Sequence, residues 1–105
     1  MCSKGEVWLY QDLDVNKIRP CVVVGNRKFE RDTDVVIAKI TSHPPRNEYD
    51  LFLNFWKEYG IKQESSVRCS KLFTIKEENL IAKVGEITTE FDSIKLKIAK
   101  YIMED

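Results

Sequence analysis

Histidine is almost missing from this chain, cysteine is sparse, and neither sign of charge is in excess. His43 is the single imidazole and the cysteines are Cys2, Cys21 and Cys69. Three is an odd number, there is no CxxC spacing, and two of them sit inside apolar runs. They read as reduced, buried thiols of a cytosolic protein rather than a disulfide framework. Lysine plus arginine equals aspartate plus glutamate at 17 each, so the chain is not a polycation that coats nucleic acid. Any attraction to phosphate has to come from a local patch. Carboxylates are scattered among lysines instead of gathered, which disfavours a catalytic metal centre. No apolar segment approaches the ~20 residues that would span a bilayer, and the N-terminus lacks a secretion signal's apolar core. The expectation is a soluble, cytoplasmic protein of one domain, residues 1–105, with one core.

What is present is strand pattern. Glu6 to Tyr10 is a short strand followed by a polar connection, Gln11 to Lys17. Arg19-Pro20 opens a second strand, where proline is tolerated because the first residue need not donate to the ladder. Cys21 to Val24 is continuously apolar, as expected of a strand covered on both faces. A charged loop through Arg27, Lys28, Glu30, Arg31 and Asp32 leads to a third strand beginning at Asp34, whose run Val35 to Ile40 is mostly β-branched. That run stops where Pro44-Pro45 forbids further pairing, and at the stop lie Thr41, Ser42, His43 and Arg46. Polar groups crowded at the end of a strand suit a binding site, although ordinary surface turns contain them too.

The second and third strands form a hairpin, and its register carries the main expectation. If Val24 faces Val35, Arg19 faces Ile40, and a shift of one residue puts Arg19 opposite Thr41. Opposed Cβ atoms lie about 4.5–5.5 Å apart, so guanidinium and hydroxyl should converge at one end of the sheet. The competing reading has Arg19 capping a sheet edge or pairing with Asp14 or Glu48.

Tyr49 to Phe55 reads as a further strand, with Trp56 and Tyr59 flanking a turn at Gly60; these aromatics suit core or dimer contact ahead of base stacking. In the strand Ser66 to Phe73, Val67 and Cys69 point one way while Arg68 and Ser70 point the other. Lys76 to Asn79 is a charged turn or short helix, and Leu80 to Ile87 a last strand. Phe91, Ile94, Ile98, Tyr101 and Ile102 then share one face of a helix whose apolar stripe should lie on the sheet. Thr89 is its expected N-cap, with Asp92 near the positive end of the dipole. The order of elements gives a mainly β fold, a small antiparallel barrel closed by a C-terminal helix.

Gly5-Glu6-Val7-Trp8, Arg19-Pro20-Cys21-Val22-Val23-Val24, Ile37-Ala38-Lys39-Ile40-Thr41-Ser42, Ser66-Val67-Arg68-Cys69 with Thr74-Ile75, and Lys83-Val84-Gly85-Glu86-Ile87 follow one another in an order that resembles the PemK/MazF family, the toxins of type II toxin–antitoxin pairs. The resemblance covers nearly the whole chain and rests on five weak motifs at the right spacing. It implies an SH3-like barrel of the CcdB/MazF/Kid type, a homodimer, cleavage of single-stranded RNA without a metal or other cofactor, and a cognate antitoxin whose tail occupies the RNA groove. It makes Arg19 and Thr41 the catalytic pair. Arg68 matches an arginine catalytic in the PemK/Kid branch, whereas Ser70 stands where that branch has an aspartate. The Asp12 to Lys17 connection is shorter than the family's glycine-rich loop.

The chemistry is consistent with such a site. RNA carries its own nucleophile, so an enzyme need only align the 2′-hydroxyl, stabilise charge on phosphorus and protonate the leaving 5′-oxygen. A planar guanidinium at Arg19 holds two phosphate oxygens at once, and Thr41 can donate to a non-bridging oxygen. Arginine serves as acid or clamp more readily than as base. His43 is of the residue type suited to moving protons, but on a proline-flanked turn a groove-lining role ranks ahead of a catalytic one. Ser42, Arg46 and Lys17 are candidate RNA contacts. If RNA binds, basic residues such as Lys17, Arg19, Arg27, Lys28, Arg31, Arg46 and Arg68 must be unevenly distributed. Two other classes stay open: a protein-binding toxin without chemistry, and an inactive member that only binds RNA or an antitoxin peptide.

Overall fold

A computed structural model describes residues 2–26 and 33–104. The elements are β1 (Glu6–Asp12), β2 (Lys17–Gly25), β3 (Asp34–Thr41), β4 (Asp50–Phe52), β5 (Ser66–Lys76), a single 3-10 turn (Glu77–Asn79), β6 (Leu80–Glu86) and the helix α1 (Phe91–Met103). They form one six-stranded sheet in the order β4-β5-β3-β2-β1-β6, antiparallel throughout. The mainly β class with a C-terminal helix is as expected. Among the described residues the barrel is not closed by hydrogen bonds, because β4 and β6 stand at opposite ends of the order.

The gap between those ends is filled by the segment after β4. The Leu53 N–H donates to the Ser65 carbonyl at 3.0 Å, tying off the segment's two ends. Its middle presses on β6: Gly60 adopts φ 83°, and a side chain there would come within 2.5 Å of the Val84 carbonyl oxygen. Only glycine fits that combination of left-handed backbone and close approach.

Glu90 fixes the same segment from the other side. Its buried carboxylate accepts hydrogen bonds from the N–H groups of Asn54 (3.1 Å) and Phe55 (3.0 Å) and from the Tyr59 hydroxyl (3.0 Å). Glu90, not Thr89, is therefore the N-cap residue of α1, and its side chain leaves the helix end uncapped because it is engaged elsewhere. The expected strand over Tyr49 to Phe55 shrinks to Asp50–Phe52 for the same reason: beyond Phe52 these backbone donors turn toward Glu90.

Both faces of β2 and β3 are buried. Val22, Ala38 and Ile40 join a cluster with Leu53, Tyr59, Val67 and Ile94, while Cys21, Val23, Val35 and Ile37 join another with Cys2, Tyr10 and Leu80. This accounts for the unbroken apolar runs in these strands. Tyr59 is thus a core residue, Trp56 packs partly against the core, and Phe52 and Phe55 are exposed.

Two further boundaries differ from expectation. β1 runs on to Asp12 and β2 starts at Lys17, because Gln11↔Ile18 and Asp12↔Lys17 extend the hairpin almost to its turn, which closes through Asn16 at φ 52°. Pro20 is consequently inside β2, but it lies just beyond the last residue paired with β3, Cys21. The helix reaches the core only as far as Ile98: Ile94 is fully buried and Phe91 and Ile98 partly so, whereas Tyr101 and Ile102 are 42% and 66% exposed, and the C-terminal end is held through Tyr101 set edge-on against Tyr49 and Glu104 accepting the Tyr49 hydroxyl. The charged loop with Arg27, Lys28 and Arg31 lies outside the described residues.

Candidate active site

Pairing of Cys21 with Lys39, Val22 with Ala38 and Val23 with Ile37 sets the β2–β3 register one residue from Val24-opposite-Val35, and a bulge before Gly25, which pairs with Val36, shifts it one residue further in the same direction. Extended two residues past Cys21, this register places Arg19 opposite Thr41. The two side chains share both walls of a divided depression: each lines a cleft of about 250 Å³ and a neighbouring one of about 220 Å³, and Ile40 is the other residue common to both.

Among the described residues the Arg19 guanidinium makes no ion pair, and its Nε is buried without a hydrogen bond. Neither Asp14 nor Glu48 pairs with it, since Asp14 binds Lys39 and Glu48 lies near Lys100. Leaving one donor of a partly buried guanidinium unsatisfied is costly, a cost that a bound anion would relieve. Thr41, at the end of β3 and 9% exposed, accepts the His43 N–H at its Oγ1 (3.2 Å). That leaves its hydroxyl proton free to be donated.

The first cleft is mostly apolar, with Leu9, Pro20, Ile61 and Val84, and polar groups at Ser42, Lys62, Gln63 and Ser65. The second is cationic: Lys39, Arg46 and Arg68 join Arg19, with His43, Val15 and Asp12 completing the wall. Of the sequence candidates, Arg19, Thr41, His43, Arg46 and Arg68 therefore gather around the second cleft and Ser42 lines the first. Two do not join them. Lys17 is exposed at the start of β2, opposite Asp12 in the ladder, and lines neither cleft. Ser70 alternates with Arg68 along β5 as expected, yet it falls in the stretch where three β5 residues have no β3 partner and lines neither cleft.

Three residues of this site went unremarked in the sequence. Lys39 donates to Asp12 (3.0 Å) and Asp14 (2.9 Å), and its ammonium lies 4.5 Å from the centre of the Phe73 ring. Burial alone would lower its pKa, but these two carboxylates outweigh that and raise it. Burial alone would likewise raise Asp12; the Lys39 ammonium, the Tyr10 hydroxyl and the Asp14 N–H hold it below the usual carboxylate range. Asp50, with a fully buried side chain, contacts Arg68 Nε at 3.4 Å. A lone lysine inside Val35–Thr41 was the available signal, because a charge in an apolar strand requires a partner. Among the described residues no three His, Cys, Asp or Glu side chains cluster to hold a metal, and no helix is long and apolar enough to cross a membrane.

Comparison with known proteins places this geometry. No curated protein sequence matches the chain. Solved structures do: an endoribonuclease in complex with its cognate antitoxin from a mycobacterial species (TM-score 0.81, 18% identity, 97% of this chain and 95% of that one). The Mycobacterium tuberculosis toxin MazF-mt6 is similar at TM-score 0.74 and 22% identity, covering 95% and 98%. MazE–MazF from Deinococcus radiodurans matches at TM-score 0.72 and 14% identity, covering 99% and 97%. At these identities the likeness establishes the fold. The family profile of the PemK-like, MazF-like toxin of type II toxin–antitoxin systems matches residues 3–102, and the chain belongs to that family.

Proposed function

We propose that the chain is a sequence-selective endoribonuclease toxin that cleaves single-stranded RNA without a metal ion. The observation that carries this reading is Arg19, a partly buried cation with no counter-charge, set beside a threonine whose hydroxyl proton is free. A phosphodiester placed between the two clefts supplies the missing anion. Arg19 holds the charge that develops on phosphorus, and Thr41 donates to a non-bridging oxygen. The RNA 2′-hydroxyl gives its proton to solvent as its oxygen bonds to phosphorus, the bond to the 5′-oxygen breaks, and that oxygen takes a proton from solvent, so no proton is consumed overall. Products are a 2′,3′-cyclic phosphate and a 5′-hydroxyl. His43 lines the second cleft as a groove residue, with Arg46 and Arg68 beside the adjoining backbone.

By analogy with the mycobacterial endoribonuclease seen with its cognate antitoxin, this chain's partner is a cognate antitoxin. The reading also takes the active form as a cytoplasmic homodimer of a single-domain chain. A competing reading, an inactive member that only binds RNA or a peptide, draws on the position of Ser70 outside both clefts.

One experiment separates them. Purified protein is incubated with a long unstructured RNA in EDTA, wild type beside Arg19→Ala, and the fragment ends are analysed. Cleavage by the wild type alone, with cyclic-phosphate and 5′-hydroxyl ends, is expected. A requirement for added magnesium, or 5′-phosphate ends, would overturn the mechanism; intact RNA in both lanes would favour the inactive reading.

A further inference from the structure

The second cleft owes its shape to a residue that does not line it. Asp50 opens β4, faces Arg68 across the β4–β5 ladder, and has a side chain with no solvent exposure. Its two carboxylate oxygens do different things. Oδ1 lies 3.4 Å from Arg68 Nε, and Oδ2 accepts the Arg46 N–H at 3.0 Å. Both donor residues line the cleft that contains Arg19 and Thr41.

Two consequences follow from this geometry. Arg68 is held by the back edge of its guanidinium, and among the described residues its terminal amino groups make no hydrogen bond, so they remain available to a ligand. The turn from Ser42 to Pro45 is clamped at both ends: Thr41 Oγ1 accepts the His43 N–H, and Asp50 accepts the Arg46 N–H. One buried carboxylate therefore sets where Arg68 and Arg46 stand relative to the reacting phosphate.

The same carboxylate adjusts the charge of the cleft. Lys39 is offset by Asp12 and Asp14, and Arg68 by Asp50. Arg19 and Arg46 are left as the cations in the lining without an ionic partner among the described residues. An exposed ion pair would matter little here, but a fully buried carboxylate acts through low-dielectric surroundings and is weakly screened.

We infer that Asp50 is a positioning residue: it aims Arg68 and the Ser42–Arg46 turn at an RNA phosphate next to the scissile one, and by offsetting Arg68 it limits how tightly the cleft grips the strand. This rests on the ribonuclease reading for its rate effect and is independent of it for its binding effect. Asp50→Asn keeps the shape and one acceptor oxygen while removing the charge. Arg68→Lys keeps the charge while removing the planar fork.

Two measurements test it, each on variants whose circular dichroism matches wild type. The first is single-turnover cleavage of an RNA oligonucleotide; the second is affinity for the same oligonucleotide, made uncleavable by a 2′-deoxy sugar at the cut, across a range of salt. For Asp50→Asn, cleavage should fall at least tenfold while affinity at low salt is unchanged or tighter. The slope of log affinity against log salt should steepen by about 0.7, the increment for one more cation on a single strand. Adding Arg68→Ala to Asp50→Asn should return that slope to wild type. Arg68→Lys should lose about tenfold in rate with no change in slope. A purely structural role for Asp50 predicts weaker binding with the slope unchanged, and that result, or an undiminished rate in both variants, would overturn the inference. If wild type leaves the cleavable RNA intact, the nuclease reading fails while the salt slopes still decide the role of Asp50.

Discussion

A methyl group at position 85 would overlap the carbonyl oxygen of Tyr59, so Gly85 and Tyr59 meet backbone to backbone. This contact seats the segment after β4 against β6 and forms one wall of the first cleft, which Gly60 and Val84 line. Gly85→Ala has no flexible neighbour to displace. It should cost about 3 kcal/mol, at the upper end for forced overpacking, read from urea unfolding. Cleavage should fall with it.

Arg19 sets function against stability. Replacement by methionine removes an unpaired buried donor, so the urea midpoint should rise, by about 1 kcal/mol of stability, while RNA cleavage drops about 10²–10³-fold. A variant that lost stability would mean that Arg19 has a structural partner.

At Thr41 the shape can be kept while the hydroxyl is removed. Thr41→Val should reduce cleavage about tenfold or more, as expected for one lost donor to the transition state, and Thr41→Ser should retain most of it. Equal loss in both variants would point to packing at the end of β3 and not to the hydroxyl.

The Asp12–Lys39 pair makes stability depend on pH at both extremes. Asp12 is held below its unfolded value, near 3.9, so its contribution is present above that value and lost as pH falls through the folded one. Lys39 is held above its unfolded value, near 10.4, so its contribution is complete below that and lost as pH rises through the folded one. Urea midpoints should therefore be flat from about pH 5 to about pH 10 with respect to this pair and decline on either side. Asp12→Asn should flatten the acid limb; an unchanged acid limb would mean that the pair is not coupled to folding.

All three thiols are buried, and burial pushes Cys21 up to about 12 and Cys69 to about 11. Iodoacetamide at pH 8 should leave the folded protein unmodified and add three groups in urea, counted by mass spectrometry.

The meeting of Arg19 and Thr41 was legible because consecutive strands pair in a register constrained to one of two choices by the alternation of side chains. The pairing of Cys21 with Lys39 decided between them, and nothing local in the apolar run announces it. Lys39 with Asp12 and Asp14, Asp50 with Arg68, and Glu90 with Asn54, Phe55 and Tyr59 were not legible. Each joins residues far apart in the chain, and a carboxylate looks the same in sequence whether it is solvated or buried. The exposed second half of α1 was misjudged for a related reason: periodicity gives the apolar face of a helix but not how far the sheet beneath it extends.

Because β2 and β3 are covered on both sides from Cys21 to Val23 and from Ile37 to Ala38, these central stretches have almost no position that can vary freely. Mutational drift in such a protein is channelled into its turns. On the proposed ribonuclease reading, a lineage could then change which RNA it favours by altering the rims of the two clefts, while the pair that would deliver guanidinium and hydroxyl stays as it is. Target choice and bond-breaking can be inherited separately.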